Sequence, residues 1–423
     1  MKKTFLFIFL SIFLNIDAGI VPDTKTIPSN IGVQLKGHND DDANLDVIAQ
    51  TGFTWVRRGF IWESIEKEKG KYDFAQYDDF VNRCEKRGLS IIACLAFSNK
   101  LYGHVKDEPA RSAYAAWAKA LVKHFKGHGI VWEIWNEPNT KTFWGKHGKV
   151  GNSPEYAYEY TSLVKATIPE MRAADTECVI LAGAVSNMWT ESYKWMSYCF
   201  DYGMLGMNWD VWSVHPYGVK APEDYLDAYA YTRTLMRHSY GGQGDDRIWI
   251  NSERGFPLRK DAEGYSGGDE NRTEEYQAWH AVRQYLIDLL EGLPVTIWYE
   301  WSGSEGFSLY SNGRLTKAGL ACKELVGQLR GYKLLKRIPT DSDREFRLLF
   351  EDIVGHRKLV VWIAPPKMET PDKTGEKKIS IHMNNGRNNV SVFDIMGNEN
   401  SVPVVNGIIE IIVTGSPQSI EIS

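Results

Sequence analysis

Polar side chains that suit acid–base chemistry follow short apolar runs in two parts of the chain. Asn136 and Glu137 come directly after the run from Ile130 to Trp135, and Glu253 follows the run from Ile248 to Asn251. Two carboxylates cleave a glycosidic bond when one protonates the leaving oxygen and the other meets the oxocarbenium-like carbon. This chemistry needs no metal or other cofactor, so we expect none.

Residues that could support such a pair also stand at or near the ends of apolar runs. The candidates for substrate binding are Arg57, Asn136, His215, Tyr217, Trp298, Trp144 and Trp301. Trp298 is expected to form the floor of a sugar pocket, because aromatic rings stack on sugar faces. Arg57 and Arg58 point to opposite sides of a strand, and we favour Arg57 as the functional one.

Eight apolar runs have the length and residue types of buried strands. They are Ile31 to Leu35, Thr54 to Arg57, Ser90 to Leu95, Ile130 to Trp135, Cys178 to Gly183, Val211 to His215, Ile248 to Asn251 and Val295 to Trp298. The segments between them have helical patterns; Ser153 and Pro154, for example, are typical of an N-cap and a first helical position. Strands alternating with helices predict a (β/α)8 barrel, whose active face lies at the C-terminal ends of the strands. An open doubly wound sheet would carry a glycine-rich loop after its first strand, where only Gly37 occurs.

The pattern changes after Gly331. Six short, β-branched segments separated by turns predict a small all-β sandwich. They are Phe346 to Phe350, Leu359 to Ile363, Ile379 to Met383, Val390 to Ile395, Gly407 to Val413 and Ser419 to Ile422. The predicted domains are thus a signal peptide (1–18), a catalytic barrel (19–331) and a β-sandwich (332–423). We expect the sandwich to stabilise the barrel's flank, with an accessory sugar-binding role as the alternative.

The N-terminus has the pattern of a secretory signal. Lys2 and Lys3 precede an apolar run from Phe5 to Leu14 that is too short to span a bilayer, and cleavage could follow Ala18. We therefore expect a secreted or periplasmic protein with no membrane anchor in the mature chain. We also expect it to be a monomer.

Charge and cysteine content exclude other classes. A formal net charge of -5 without a long basic run gives no electrostatic footprint for nucleic acid. The 5 cysteines show neither metal-ligand spacing nor the density of a disulfide scaffold, and we expect them to be buried, with at least one free.

The motifs "IWNEPN", "HPY" and "WINSERGFP", in this order, resemble clan A glycoside hydrolases, which have (β/α)8 barrels. The segment "WVRRGFIWESIEKEKGKYDF" also resembles the strand-two region of families 39 and 5. The resemblance implies that Glu137 is the general acid/base and Glu253 the nucleophile. It implies further that Asn136 bonds the sugar 2-hydroxyl and that Arg57 and Tyr217 keep the nucleophile ionised, with His215 in the same pocket.

The family within the clan stays open at this point. Many family 5 members have a histidine near the end of strand three, where this chain has Phe97, Ser98 and Asn99. Family 39 or a neighbouring clan A family therefore fits as well or better.

The sequence predicts a retaining β-glycosidase or endo-β-glycanase that acts on a β-linked polysaccharide or oligosaccharide. One alternative is a transglycosidase that uses the same residues. Another is a non-catalytic carbohydrate-binding barrel, which would not need both glutamates. Endo or exo action depends on loops such as "KHGKVGNS" and "GYSGGDENR".

Overall fold

The computed structural model describes residues 26–27, 29–145, 151–218, 220–239, 248–258, 272–369, 373–383 and 386–422. The predicted signal peptide lies outside these residues, as do most of the two loops named above.

Eight parallel strands form a closed barrel, and one long helix follows each strand. The strands are β1 Ile31–Leu35, β2 Trp55–Ile61, β3 Ser90–Ala96, β4 Val131–Ile134, β5 Val179–Ser186, β6 Val211–His215, β7 Ile248–Arg254 and β8 Thr296–Trp298. The helices are α1 Asp42–Thr51, α2 Ala75–Glu85, α3 Ala110–His124, α4 Pro154–Ala174, α5 Thr190–Asp201, α6 Tyr225–Ser239, α7 Glu274–Glu291 and α8 Lys317–Leu329. Each strand pairs with the next, and β8 closes onto β1 through Ile31 and Thr296. The predicted (β/α)8 barrel is confirmed.

The barrel interior has an apolar layer below a polar one. Trp55, Ile92, Val131, Val211 and Ile250 belong to one buried cluster that draws on nearly every strand. Since side chains alternate along a strand, the residues two positions later also point inward. On four of these five strands those residues are polar, namely Arg57, Glu133, Ser213 and Ser252. The interior thus becomes polar towards the C-terminal ends of the strands.

Helix boundaries follow the local sequence. Ser153 caps α4, because its hydroxyl accepts the Tyr156 N–H at 3.3 Å, and Pro154 is the first helical residue, as predicted. α1 ends on Gly52, whose φ of 96° is left-handed and favours glycine.

The C-terminal region is a β-sandwich, as predicted. Its strands are β9 Lys333–Arg337, β10 Glu345–Glu351, β11 Arg357–Ile363, β12 Lys377–His382, β13 Asn389–Phe393, β14 Glu399–Pro403, β15 Ile408–Val413 and β16 Gln418–Glu421. One sheet has the order β9–β10–β11–β16–β13–β14, and β12 pairs with β15. Strands β9 and β14 were not predicted, because they lack the β-branched runs of their neighbours.

The expected burial of the cysteines is confirmed. All 5 cysteines are buried and free. Within the described part of the chain, none of the helices combines the length and the hydropathy that crossing a membrane requires.

Candidate active site

The backbone turns sharply where Glu137 follows β4. The strand ends at Ile134, and Trp135 and Glu137 then take left-handed conformations with φ of 72° and 45°. Such conformations cost a non-glycine residue roughly 1–3 kcal/mol and persist where the surroundings enforce them. Here the Thr140 N–H and hydroxyl both donate to the Glu137 carbonyl oxygen at 3.0 Å. These contacts fix the backbone that carries Asn136 and Glu137.

A cavity of about 630 Å³ opens at this end of the barrel. Among the predicted residues, its wall includes Arg57, Asn136, Glu137, Tyr217 and Glu253. The strand ends of β2, β4, β6 and β7 therefore bring these residues together, as expected for the C-terminal face of a (β/α)8 barrel.

Glu253 receives donors on both carboxylate oxygens. Arg57 Nη1 lies 2.8 Å from its Oε2, and the Tyr217 hydroxyl donates to its Oε1 at 3.2 Å. Burial nevertheless raises the pKa of Glu253 above its ordinary value, against the opposing effects of His215 and Arg57. The predicted partners are in place, and they offset part of the cost of burying this charge.

Glu137 is paired with a histidine. His215 Nδ1 lies 2.9 Å from Glu137 Oε1, and His215 Nε2 lies 3.0 Å from the Ser252 hydroxyl. Burial lowers the pKa of His215 to about 4, so the ring is neutral near pH 7. His215 has no exposed surface and is absent from the cavity wall. The expectation that it lines the pocket is therefore corrected: it contacts Glu137 from behind.

The two glutamates are close together. One carboxylate oxygen of Glu137, one of Glu253 and a ring nitrogen of His215 all lie within 4.8 Å of one another. These donor types also suit a metal ion, but Arg57 already bonds Glu253 and His215 already bonds Glu137. A guanidinium at 2.8 Å opposes a second cation by charge repulsion. We therefore assign no metal to this cluster.

Arg57 links the cavity to the barrel interior. Besides Glu253, it donates to Gln34 Oε1 at 2.9 Å, to Asn136 Oδ1 at 2.6 Å and to Glu133 Oε2 at 2.7 Å. The bond from Arg57 engages the Asn136 amide oxygen, which leaves Nδ2 as the donor for a hydroxyl. Arg58 instead pairs with Asp40 at 2.6 Å and does not contact Glu253.

Three tryptophans predicted to bind substrate do not reach the cavity. Trp144, Trp298 and Trp301 are fully buried and absent from its wall. Their indole N–H groups donate to Glu159, to the Phe307 carbonyl and to Asn44, at 2.6, 2.8 and 2.8 Å respectively. They pack between elements of the barrel, so the expectation that they bind substrate in this cavity is corrected, and Trp298 does not form its floor.

Other aromatic residues form the cavity wall in their place. They are Tyr77, Phe97, Phe143, Trp189 and Tyr299. Tyr299 is the residue after β8, one position beyond the predicted Trp298, and strand alternation turns it to the other side. Trp189 is 46% exposed at the start of α5, where its ring is available for stacking on a sugar.

The sequence was compared with protein-family models and with curated proteins. The family model for cellulase, glycosyl hydrolase family 5, matches residues 23–310. No curated protein shows significant similarity to the chain.

Several solved structures of glycoside hydrolases have folds similar to that of this chain. A family 39 glycoside hydrolase from the gut symbiont Bacteroides cellulosilyticus WH2 has a TM-score of 0.73 and 18% identity, over 96% of this chain and 82% of that one. A monomeric β-xylosidase from Caulobacter crescentus CB15 has a TM-score of 0.65 and 13% identity, over 93% and 95% of the two chains. A family 30 endoxylanase from Clostridium papyrosolvens C71 has a TM-score of 0.61 and 14% identity, over 94% and 97%. At these identities the likeness establishes the fold alone.

The closed barrel and the family match define a clan A glycoside hydrolase, which acts on carbohydrate. The chain belongs to glycosyl hydrolase family 5, the cellulase family. The chain lacks the histidine that many family 5 members have near the end of strand three, but the family 5 model matches residues 23–310 and so decides the family.

Proposed function

We propose that the protein is a retaining glycosidase that cleaves β-linked polysaccharides or oligosaccharides by double displacement. The observation that carries this proposal is the spacing of Glu137 and Glu253, whose carboxylate oxygens approach within 4.8 Å at the cavity wall. Retaining enzymes hold their carboxyl groups about 5–5.5 Å apart, whereas inverting enzymes leave about 6.5–9.5 Å for a water molecule.

The contacts of each glutamate support its assigned role. Glu253, with Arg57 and Tyr217 as donors, is the nucleophile, because these donors stabilise its ionised form. Glu137 protonates the leaving oxygen in the first step and takes a proton from water in the second. Asn136 offers its amide N–H to the sugar 2-hydroxyl, a bond that strengthens as the ring flattens.

The relatives suggest substrates to test first. The family model is that of cellulases, and two of the similar structures are a β-xylosidase and an endoxylanase. We propose β-glucan and β-xylan fragments as substrates. We also propose that the protein is exported, on the evidence of its N-terminal sequence, and that it acts as a monomer.

Glu253→Ala provides the decisive test on a panel of aryl glycosides and oligosaccharides. The variant should lose hydrolysis, and azide should restore turnover to give a glycosyl azide of inverted anomeric configuration relative to the substrate. Glu305→Ala is the matched control, since Glu305 also lines the cavity but is not one of the pair; it should keep turnover. Wild-type hydrolysis by Glu253→Ala would disprove the assignment.

A further inference from the structure

A buried carboxylate, Glu133, lies beneath the cavity and takes no part in its wall. Its Oε2 accepts from Arg57 Nε at 2.7 Å, and its Oε1 accepts from the hydroxyls of Ser213 and Ser252, each at 2.7 Å. Burial alone would raise its pKa, but Arg57 brings that pKa below its ordinary value. Glu133 is therefore a carboxylate anion with its oxygens occupied by donors.

Ser252 has a single hydroxyl hydrogen and three polar neighbours. They are Glu133 Oε1 at 2.7 Å, His215 Nε2 at 3.0 Å and the Ser213 hydroxyl. A bond to an ionised acceptor is roughly twice as strong as a neutral one. The hydrogen of Ser252 is thus used towards Glu133, directly or through Ser213, and Ser252 presents a lone pair to His215.

This lone pair decides which nitrogen of the neutral His215 ring carries its hydrogen. Nε2 must donate to Ser252, so Nδ1 is bare. Nδ1 lies 2.9 Å from Glu137 Oε1, and a bare nitrogen bonds a carboxyl oxygen only when that carboxyl supplies the proton. Among the described residues, Arg57, Glu253 and Tyr217 also act on this pair.

We propose that Glu133 is a positioning residue that, through Ser252, holds His215 in the Nε2–H tautomer and thereby favours the protonated form of Glu137. The inference deepens the proposed function, since it rests on Glu137 being the acid/base. When Glu137 has given its proton to the leaving oxygen, its Oε1 faces the bare Nδ1. That repulsion between lone pairs raises the proton affinity of Glu137, which then removes a proton from the attacking water.

The tautomer can be measured without any substrate. ¹⁵N NMR of histidine-labelled full-length protein distinguishes a protonated ring nitrogen from a bare one, and His215→Gln identifies the signal. We expect the hydrogen on Nε2 in the wild type and in Ser213→Ala, which keeps the link through Ser252. In Ser252→Ala and Glu133→Gln we expect it on Nδ1, because the lone pair facing Nε2 is lost or replaced by a donor. A wild-type hydrogen on Nδ1, or an unchanged tautomer in Ser252→Ala, would overturn the proposal.

The pH profile of kcat/KM gives a second readout. In Ser252→Ala and Glu133→Gln the basic limb should move to lower pH by about one unit, the equivalent of one hydrogen bond. Ser213→Ala should keep the wild-type limb. A role in packing alone would lower kcat and leave the limb in place, which would contradict the proposal. The NMR experiment needs no substrate, so it tests the tautomer even if Glu253→Ala disproves the glycosidase assignment. If Glu133→Gln does not fold, Ser252→Ala still tests the proposal, because it retains the Arg57–Glu133 pair.

Discussion

At the scale of the residue, Arg57 organises the site. Its guanidinium bonds Glu253, Asn136, Glu133 and Gln34, with donor–acceptor distances from 2.6 to 2.9 Å. A planar fork with several fixed donors holds these four side chains in one relative position, which a lysine cannot do. The groups that would touch the sugar are therefore set before substrate binds, and this reduces the cost of ordering them during the reaction.

Tyr217 offers a test of how Glu253 is stabilised. Tyr217→Phe removes the hydroxyl that donates to Glu253 at 3.2 Å and retains the ring that packs on Phe307. Losing a hydrogen bond to a charged group, about 1.5–3 kcal/mol, should lower kcat roughly ten- to hundredfold. The donor favours ionised Glu253, so its loss raises the pKa of Glu253 and moves the acidic limb of kcat/KM to higher pH.

Tyr114→Phe is the control for this measurement. Its hydroxyl donates to the Leu95 carbonyl at 2.7 Å, away from the cavity wall. It should lower stability and leave the acidic limb where it is. An unmoved limb in Tyr217→Phe would contradict the role given to this tyrosine.

Active-site residues near the ends of strands could be predicted from the sequence, whereas the polar residue within a strand that supports them was missed. Motif order pointed to Glu137 and Glu253, and the structure brings both to one cavity. Glu133 was missed although it stands two residues after Val131, on the same inward face. Alternation along β4 could have located it, but only the fold shows that its partners come from β2, β6 and β7.

At the scale of the element, the ends of β7 and β8 approach each other closely behind the cavity. A Cβ at Gly255 would lie 2.0 Å from the Tyr299 carbonyl oxygen and 2.5 Å from the Phe307 ring. Neither a backbone oxygen nor a buried ring can yield at low cost. This contact explains why the chain has a glycine two residues after Glu253. The contact depends on three separate segments, so no local pattern could have predicted it.

Gly255→Ala should therefore separate the two strand ends. We expect a loss of about 1–3 kcal/mol in unfolding free energy and a fall in kcat, because Glu253 and Tyr299 are displaced together. Gly327→Ala is the matched control, since Gly327 is an exposed position of helix α8 and a Cβ there meets nothing within 4 Å. Alanine should stabilise this helix by about 0.5–1 kcal/mol. Chemical denaturation gives the unfolding free energy of both variants, and kcat is measured on both. Equal changes in Gly255→Ala and Gly327→Ala would refute the role of the close contact at Gly255.

At the scale of the whole molecule, the sandwich is joined to the barrel near the site. Glu223 follows β6 in the barrel and accepts from Trp362 Nε1 on β11 at 2.7 Å, and Arg283 on α7 pairs with it at 2.8 Å. Arg344 of the sandwich also pairs with Asp224 at 3.1 Å. These contacts fix the positions of Glu223 and Asp224.

Trp362→Phe tests this junction. The ring can still stack on Phe346, but Glu223 loses a donor in a buried position. The expected loss of unfolding free energy is about 1.5–3 kcal/mol. Lys367→Ala is the control, because Lys367 of the sandwich pairs with Asp227 of the barrel at the surface. Its loss of unfolding free energy should be under about 1 kcal/mol. Similar losses in the two variants would rule out the junction as a stabilising contact.

Buried groups make opposing contributions to the pH dependence of stability, as His215 and Asp288 illustrate. Burial lowers the pKa of His215 to about 4, so between this value and about 6.5 the unfolded chain binds more protons and stability falls as pH falls. Burial raises the pKa of Asp288 to about 6, so below this value the folded chain binds more protons and stability rises as pH falls. The dependence of the wild-type unfolding free energy on pH therefore does not separate the contribution of His215 from that of Asp288.

His215→Gln isolates the first contribution. Relative to the wild type, the variant should gain unfolding free energy as pH falls from about 6.5 to about 4, by up to about 3 kcal/mol, since each pKa unit corresponds to about 1.4 kcal/mol. Tyr114→Phe is the control, because it removes a buried hydrogen bond but no group that titrates between about pH 4 and 6.5, and its curve should run parallel to that of the wild type. Urea denaturation at intervals across this range gives both differences. A constant difference between His215→Gln and the wild type would mean that His215 titrates alike in the folded and unfolded chains, contrary to its burial against Glu137.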